Sequence, residues 1–269
     1  STVYKSSAAS DVYKRQAQHT VEGRVAHSLH GYFLRRGDIN APIIYDVDRS
    51  RDGGSFSNRR VVAIQHGRPI LNLAASFQVP QDGLSHQAEM PAVPAPDGLK
   101  DLTLLAAYVL DNIPVKLRRF MTDQRPFEFR PVEQSDLDDP AKRPPYKHVW
   151  VRAVDAMPDG LALHQNLMAY VSDFELLTTA TLPHALPFTQ GKVILASLDH
   201  ALWFHREFRM DEWLLYAMDS PNASGARGYA RGQFFTQDGK LVASTTQEGL
   251  IRVVDPQRAS KRSDPRHQV

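Results

Sequence analysis

DGLALHQNLMAYVSDFELLTTATLP, residues 159–183, is the segment on which the fold turns. Leu163, Leu167, Met168 and Val171 recur at intervals of three and four, Asp159 stands where an N-cap belongs, and Pro183 closes the far end. This pattern predicts one long helix with an apolar face that must be covered. Its surroundings read as strands. FEFRPVE (127–133) and HVWVRAV (148–154) precede it, and four runs rich in β-branched and aromatic residues follow. Strand, strand, long helix and then antiparallel strands describe a sheet wrapped on a helix.

Upstream, the same material occurs without the helix. HSLHGYFL (27–34), PIIYDVDRSR (42–51), SNRRVVAIQHG (57–67) and PILNLAASFQ (69–78) predict an antiparallel meander, with hairpin turns at Arg51-Asp52-Gly53-Gly54 and His66-Gly67. IIYDVD (43–48) resembles LLYAMD (214–219), and RRVVAIQHG (59–67) resembles RGQFFTQDG (231–239), at an offset close to 172 in both cases. Two matches in one order at one offset predict two similar halves. Between them, Val79 to Pro145 holds more than half of the 18 prolines and includes MPAVPAPDG (90–98), which excludes a continuous helix or a central strand. Within that linker, apolar residues at 102, 105, 106, 109, 110 and 113 predict a helix.

The expected fold class is therefore α+β, a double hotdog in which two antiparallel sheets each wrap a long helix. The first helix is expected to be largely missing, because only AQHTVEGRVA lies upstream of His27, and DVYKRQ (11–16) resembles the translation of a sequencing-library adapter. The corresponding divisions are a non-native segment at 1–16, a truncated N-terminal hotdog at 17–79 and a proline-rich helical linker at 80–125. A C-terminal hotdog at 126–254 and a polar tail at 255–269 complete the chain.

Composition narrows the function. Acids and bases nearly cancel, with a net charge of +2, which argues against nucleic acid as a partner. The absence of cysteine excludes disulfides, thiolate metal sites and a cysteine nucleophile. No apolar run reaches the roughly 20 residues that span a bilayer, and the N-terminus lacks a signal peptide's apolar core, so no stable membrane insertion is expected and a bacterial cytoplasmic location is. His200 and His205 are an odd number of positions apart and face opposite sides of a strand, so neither a metal site nor a cofactor is expected.

HSLHGYFLRRGD (27–38), PIIYDVDRSRDGGSFSNRRVVAIQHG (42–67), LAASFQ (73–78), SLDHALWFHR (197–206), EWLLYAMDS (212–220) and FFTQDGKLVASTTQEG (234–249) together resemble the acyl-CoA thioesterase II family. The resemblance implies hydrolysis of medium- to long-chain fatty acyl-CoA to fatty acid and CoA by a homo-oligomer. It also implies a catalytic aspartate at Asp173, a hydroxyl residue at Ser197 and a glutamine at Gln247. These types suit the chemistry: a carboxylate takes a proton from water, while a hydroxyl and a carboxamide orient that water without carrying charge. A covalent serine mechanism fits less well, since no G-x-S-x-G elbow exists and a regular strand sends the closely spaced Ser197, Asp199 and His200 to alternating faces. Trp203 is a candidate for lining an acyl pocket, and Arg227 and Arg231 are candidates for contacting CoA phosphates. The alternative is a non-catalytic acyl-CoA-binding module or inactive fragment, because a hotdog sheet without its helix leaves an apolar face open.

Overall fold

The computed structural model describes residues 17–101, 126–133, 141–186 and 193–253. The adapter-like segment, the helix predicted over 102–113 and the polar tail lie outside the described residues.

Alternating side chains build the first half as expected. β1 (Val25–Phe33) pairs antiparallel with β4 (Arg68–Gln78), which continues through β3 (Phe56–Gln65) to β2 (Ile44–Asp52). The β3–β4 turn is the predicted His66-Gly67, and both residues have positive φ, 50° and 70°. That is the type I′ geometry whose twist matches paired strands, and glycine at the second position adopts it without strain.

The second half contains β5 (Phe127–Pro131), β6 (Tyr146–Ala153), α1 (Leu161–Val171) and a 3-10 segment, Leu177–His184. It continues with β7 (Val193–Ser197), β8 (Asp199–Phe204), β9 (Leu214–Ser224), β10 (Arg227–Thr236) and β11 (Leu241–Val253). All strands join one sheet in the order β2-β3-β4-β1-β8-β11-β10-β9-β6-β5, with β7 paired to β11. The order β2-β3-β4-β1 recurs as β9-β10-β11-β8, the two halves meeting where Ser28–Tyr32 of β1 pairs with Asp199–Trp203 of β8. IYDVD of the first repeat falls on β2 and LLYAMD of the second on β9, as equivalence of the halves requires.

The helix differs from expectation. α1 ends at Val171, and Glu175, with φ of 63°, breaks the run before the 3-10 segment begins. A left-handed conformation at a non-glycine residue cannot continue a right-handed helix. Glu175 is held there by Lys147, whose Nζ lies 2.5 Å from its Oε2, and by the Thr178 hydroxyl, which donates to its carbonyl at 2.8 Å. Asp159 does not cap α1; Gly160 occupies the N-cap and the Asp159 carboxylate pairs with Arg209 at 2.6 Å. Pro183 falls inside the 3-10 segment. Leu163 is 37% exposed, whereas His164 and Gln165 turn inward beside Met168, Ala169 and Val171. The polar pair finds partners: the Met210 N–H donates to His164 Nδ1 at 3.0 Å, and Gln165 Nε2 donates to the Ala26 carbonyl of β1 at 2.9 Å.

α1 packs on the face of the sheet that carries Phe129, Val151, Leu202, Tyr216, Phe234 and Ala243, and the 3-10 segment lies over β9 and β10. Each large apolar side chain buried there contributes about 1.5–3 kcal/mol. The opposite face carries Trp150, Trp213, Leu215 and Phe235, against which Met90, Val93 and Leu99 of the proline-rich stretch pack. Trp150 Nε1 donates to the Pro94 carbonyl at 2.9 Å, and the Gln87 side chain bridges Gly239 and Leu241. This described part of the linker is thus a strap over the outer face. Among the described residues, no helix is long and apolar enough to cross a membrane.

Candidate active site

Asp173 lies in the turn two residues beyond the end of α1, Ser197 is the last residue of β7, and Gln247 is central in β11. The fold brings the three together. Gln247 Nε2 donates to Asp173 Oδ1 and, at 3.1 Å, to Ser197 Oγ, and the Ser197 hydroxyl lies 3.4 Å from the same Asp173 oxygen. Asp173 and Gln247 are each 1% exposed. A buried carboxylate at the negative end of a helix is unfavourable unless donors face it, and here an amide and a hydroxyl do. The donors also fix the amide's orientation, since the reverse would set Gln247 Oε1 against the carboxylate. Gln247 Oε1 is buried with no protein partner.

A β-bulge places Ser197. Ser197 pairs with Gly249 and Ala201 with Thr246, so three residues, Leu198–His200, stand opposite two, Gln247 and Glu248. The extra residue reverses the alternation, and Ser197 and His200 both face inward although three positions separate them. The alternation expected for a regular strand does not hold here. The Leu198 N–H donates to the Glu248 carbonyl at 2.9 Å, while the Glu248 N–H, which lost its ladder partner, donates to the Asp199 carboxylate at 2.6 Å. From the first half, the Phe33 N–H donates to the Leu198 carbonyl at 2.9 Å.

Around the three residues lies a buried polar shell that the residue types alone did not mark. His200 Nε2 is 2.8 Å from Ser172 Oγ and 3.3 Å from Thr245 Oγ1. Tyr216 donates its hydroxyl to the Ser172 carbonyl at 2.7 Å and stacks on Phe234 with centroids 3.9 Å apart. Burial holds the His200 imidazole below its ordinary pKa, against the pull of the Asp173 and Asp199 carboxylates, so the ring is neutral. Burial, reinforced by Asp173 and Glu175, pushes the Tyr216 phenol well above its ordinary value and keeps it a donor.

A family profile described as acyl-CoA thioesterase matches residues 117–250, and one described as the acyl-CoA thioesterase N-terminal domain matches residues 10–78. A curated relative from Haemophilus influenzae named acyl-CoA thioesterase 2 is 43% identical over 231 residues, covering 86% of this chain and 81% of its own length. The chain belongs to the acyl-CoA thioesterase II family. A solved acyl-CoA thioesterase II from Mycobacterium marinum, TesB2, matches with a TM-score of 0.78 and 41% identity, covering 94% of this chain and 91% of that one. A protein from Alicyclobacillus acidocaldarius described as having a hot dog fold matches with a TM-score of 0.72 at 17% identity, covering 93% and 87% of the two chains. That likeness bears on the fold alone and agrees with the expected hotdog architecture.

In this thioesterase the other candidates lie apart from Asp173, Ser197 and Gln247. Trp203 projects from the face of β8 opposite His200 and meets the His30 ring edge-on, with centroids 4.8 Å apart. Arg227 and Arg231 alternate with the inward Gly228, Ala230 and Gly232 on β10 and point outward, Arg227 to Glu248 at 2.9 Å and Arg231 to Asp219. His205 also faces away from His200 and bonds to Ser244 at 2.8 Å. Among the described residues no three His, Asp or Glu side chains gather to hold a metal ion. Sequence reasoning missed Ser172 and Thr245. The available signal was a threonine two positions before Gln247, on the same face of β11.

Proposed function

We propose that this thioester hydrolase cleaves medium- to long-chain fatty acyl-CoA, with Asp173 as general base and Ser197 and Gln247 positioning water and thioester. The observation that carries the reading is the closed hydrogen-bonded set of the three buried side chains, drawn from α1's exit turn, β7 and β11. One carboxylate can take one proton from a water, and the unpartnered Gln247 Oε1 can accept the other hydrogen and orient it. The oxygen then adds to the thioester carbonyl carbon. Collapse of the tetrahedral intermediate breaks the C–S bond, and the proton held by Asp173 goes to the departing thiolate, giving a fatty acid and CoA. Holding the water in place removes much of the entropic cost of a bimolecular step.

Hydrolysis of a chain-length series of acyl-CoA esters, from C8 to C18, by parent and Asp173→Asn proteins tests this reading. Loss of the base is expected to lower kcat by about 100- to 10,000-fold. Parental turnover by a folded Asp173→Asn variant overturns the assignment of the base, and a parent indifferent to C8–C18 substrates overturns the substrate class.

A further inference from the structure

We propose that His200 is a positioning residue of this thioesterase, clamping the turn that carries Asp173 to the strand that carries Gln247. The proposal rests on the reading of Asp173, Ser197 and Gln247 given above. His200 is 2% exposed and lies on β8, three residues after Ser197. Its Nε2 faces two hydroxyls from two different elements: Ser172, immediately before Asp173, and Thr245, two residues before Gln247 on the same face of β11.

The surrounding bonds assign the tautomer. The Ser172 hydroxyl donates to the Ala169 carbonyl at 3.1 Å, and the Thr245 hydroxyl donates to the Ala201 carbonyl at 2.7 Å. Both hydroxyl protons are thereby committed, and each oxygen is left as an acceptor. His200 Nε2 therefore carries the proton and shares it between them. His200 Nδ1 is then a bare acceptor, and it is buried with no partner. A leucine of similar volume would fill this space without burying an unpaired nitrogen. What leucine cannot do is donate one hydrogen to two elements at once. The groups that face the ring are accounted for: Asp173 at the end of α1, Asp199 on its own strand, and the neutral Ser172 and Thr245.

His200 touches none of the three residues through a hydrogen bond, so it acts by holding Asp173 and Gln247 in register rather than by chemistry. Small displacements of positioned groups lower turnover without changing affinity equally. The bulge completes the arrangement: His200 faces inward with Leu202 and Phe204 by the regular alternation of β8, and the extra residue between Ser197 and Ala201 brings Ser197 to that same side, where Asp173 and Gln247 meet.

The test compares His200→Leu and His200→Gln by steady-state kinetics on one acyl-CoA, in the parent and in an Asp173→Asn background. His200→Leu is expected to lower kcat about 10- to 100-fold with KM within about twofold. His200→Gln, which keeps an amide donor at comparable reach, is expected to recover most of that loss. In the Asp173→Asn background the His200→Leu effect is expected to shrink to less than about twofold, because residues acting as one unit are not additive. A folded His200→Leu protein with parental kcat overturns the proposal, as does an equal loss in both backgrounds or a glutamine no better than leucine. Should His200→Leu fail to fold, Thr245→Val removes one of the two acceptors and is expected to lower kcat in the same direction; parental kcat in that variant overturns the proposal. Asp173→Asn alone separates the two readings: if it is inactive while His200→Leu is fully active, only the role of His200 falls, and if it is fully active the catalytic set itself falls.

Discussion

The Tyr216 hydroxyl, on β9, donates to the Ser172 carbonyl at 2.7 Å, and so a central strand holds the turn that presents Asp173. The bond is fully buried, and its donor cannot ionise in any ordinary buffer because burial pushes the phenol well above its usual pKa. Tyr216→Phe is expected to destabilise the protein by about 1–2 kcal/mol, since the carbonyl loses its partner while the ring keeps its stack on Phe234. Urea unfolding of the two proteins measures this, and kcat should fall more than KM rises.

Gly232 lies beneath that ring. A Cβ there would overlap the Tyr216 ring edge and come within 3.1 Å of Thr245 Cγ2. Gly232→Ala is expected to cost about 1–3 kcal/mol by overpacking and to displace the Ser172 turn. The check is a lowered melting temperature together with reduced turnover.

At the bulge, the Asp199 carboxylate takes the place of a ladder carbonyl for the Glu248 N–H. Asp199→Ala leaves that N–H unpaired and is expected to cost about 1–3 kcal/mol, whereas Asp199→Asn keeps an acceptor and should cost less. Denaturation of the pair separates the lost hydrogen bond from the lost charge.

Burial of neutral His200 predicts a pH dependence of stability. Its folded pKa lies below the ordinary 6.5, so below that pH the unfolded chain binds a proton that the folded one does not. Stability from this site is therefore fully present above about pH 6.5 and is lost as pH falls, by at most about 1.4 kcal/mol per pH unit. The difference in unfolding free energy between parent and His200→Gln should narrow between pH 7.5 and pH 5. A constant difference would contradict a buried neutral imidazole.

Ahead of α1, the Arg209 guanidinium binds the Asp211 carboxylate at 2.9 Å and holds its pKa down to about 2, with the Met157 N–H assisting at 2.8 Å. The sign follows from the depressed value: this stability is present above about pH 4 and is lost as pH falls toward 2. Asp211→Asn should lower the melting temperature at pH 7, and the gap should close in acid.

The strands were legible because half-buried strands alternate, and the repeat was legible because both halves carry similar strands in one order at one offset, although the turns differ in length, two residues at 66–67 and four at 237–240. The end of α1 was not. Apolar spacing carries through Phe174, Leu176 and Leu177, and nothing in the letters marks Glu175 as left-handed; Lys147, 28 positions away, helps to hold it there. Leu163 was misplaced for a related reason: His164 and Gln165 take the inward side because the Met210 N–H, in the β8–β9 connection, and the Ala26 carbonyl of β1 offer them backbone partners. Asp173, Ser197 and Gln247 are 24 and 50 residues apart, so no local spacing could select them, and the family resemblance did. The bulge at Leu198–His200 depends on register between strands, which single-strand periodicity does not contain.

Pairing β1 with β8 has a consequence for association. A four-strand sheet and a six-strand sheet kept apart would each present open backbone donors and acceptors along both outer strands, the usual template for indiscriminate pairing between chains. Sewn together, the described strands form one path that ends at two such margins, β2 and β5, with the short β7 set beside β11. β2 is short of apolar side chains and carries charges of both signs, Asp46, Asp48, Arg49, Arg51 and Asp52, at the outermost rim. Stacking another strand there would set these charges against unmatched ones, so the same join that lends the site a bond from the first half also leaves the molecule fewer places at which to aggregate.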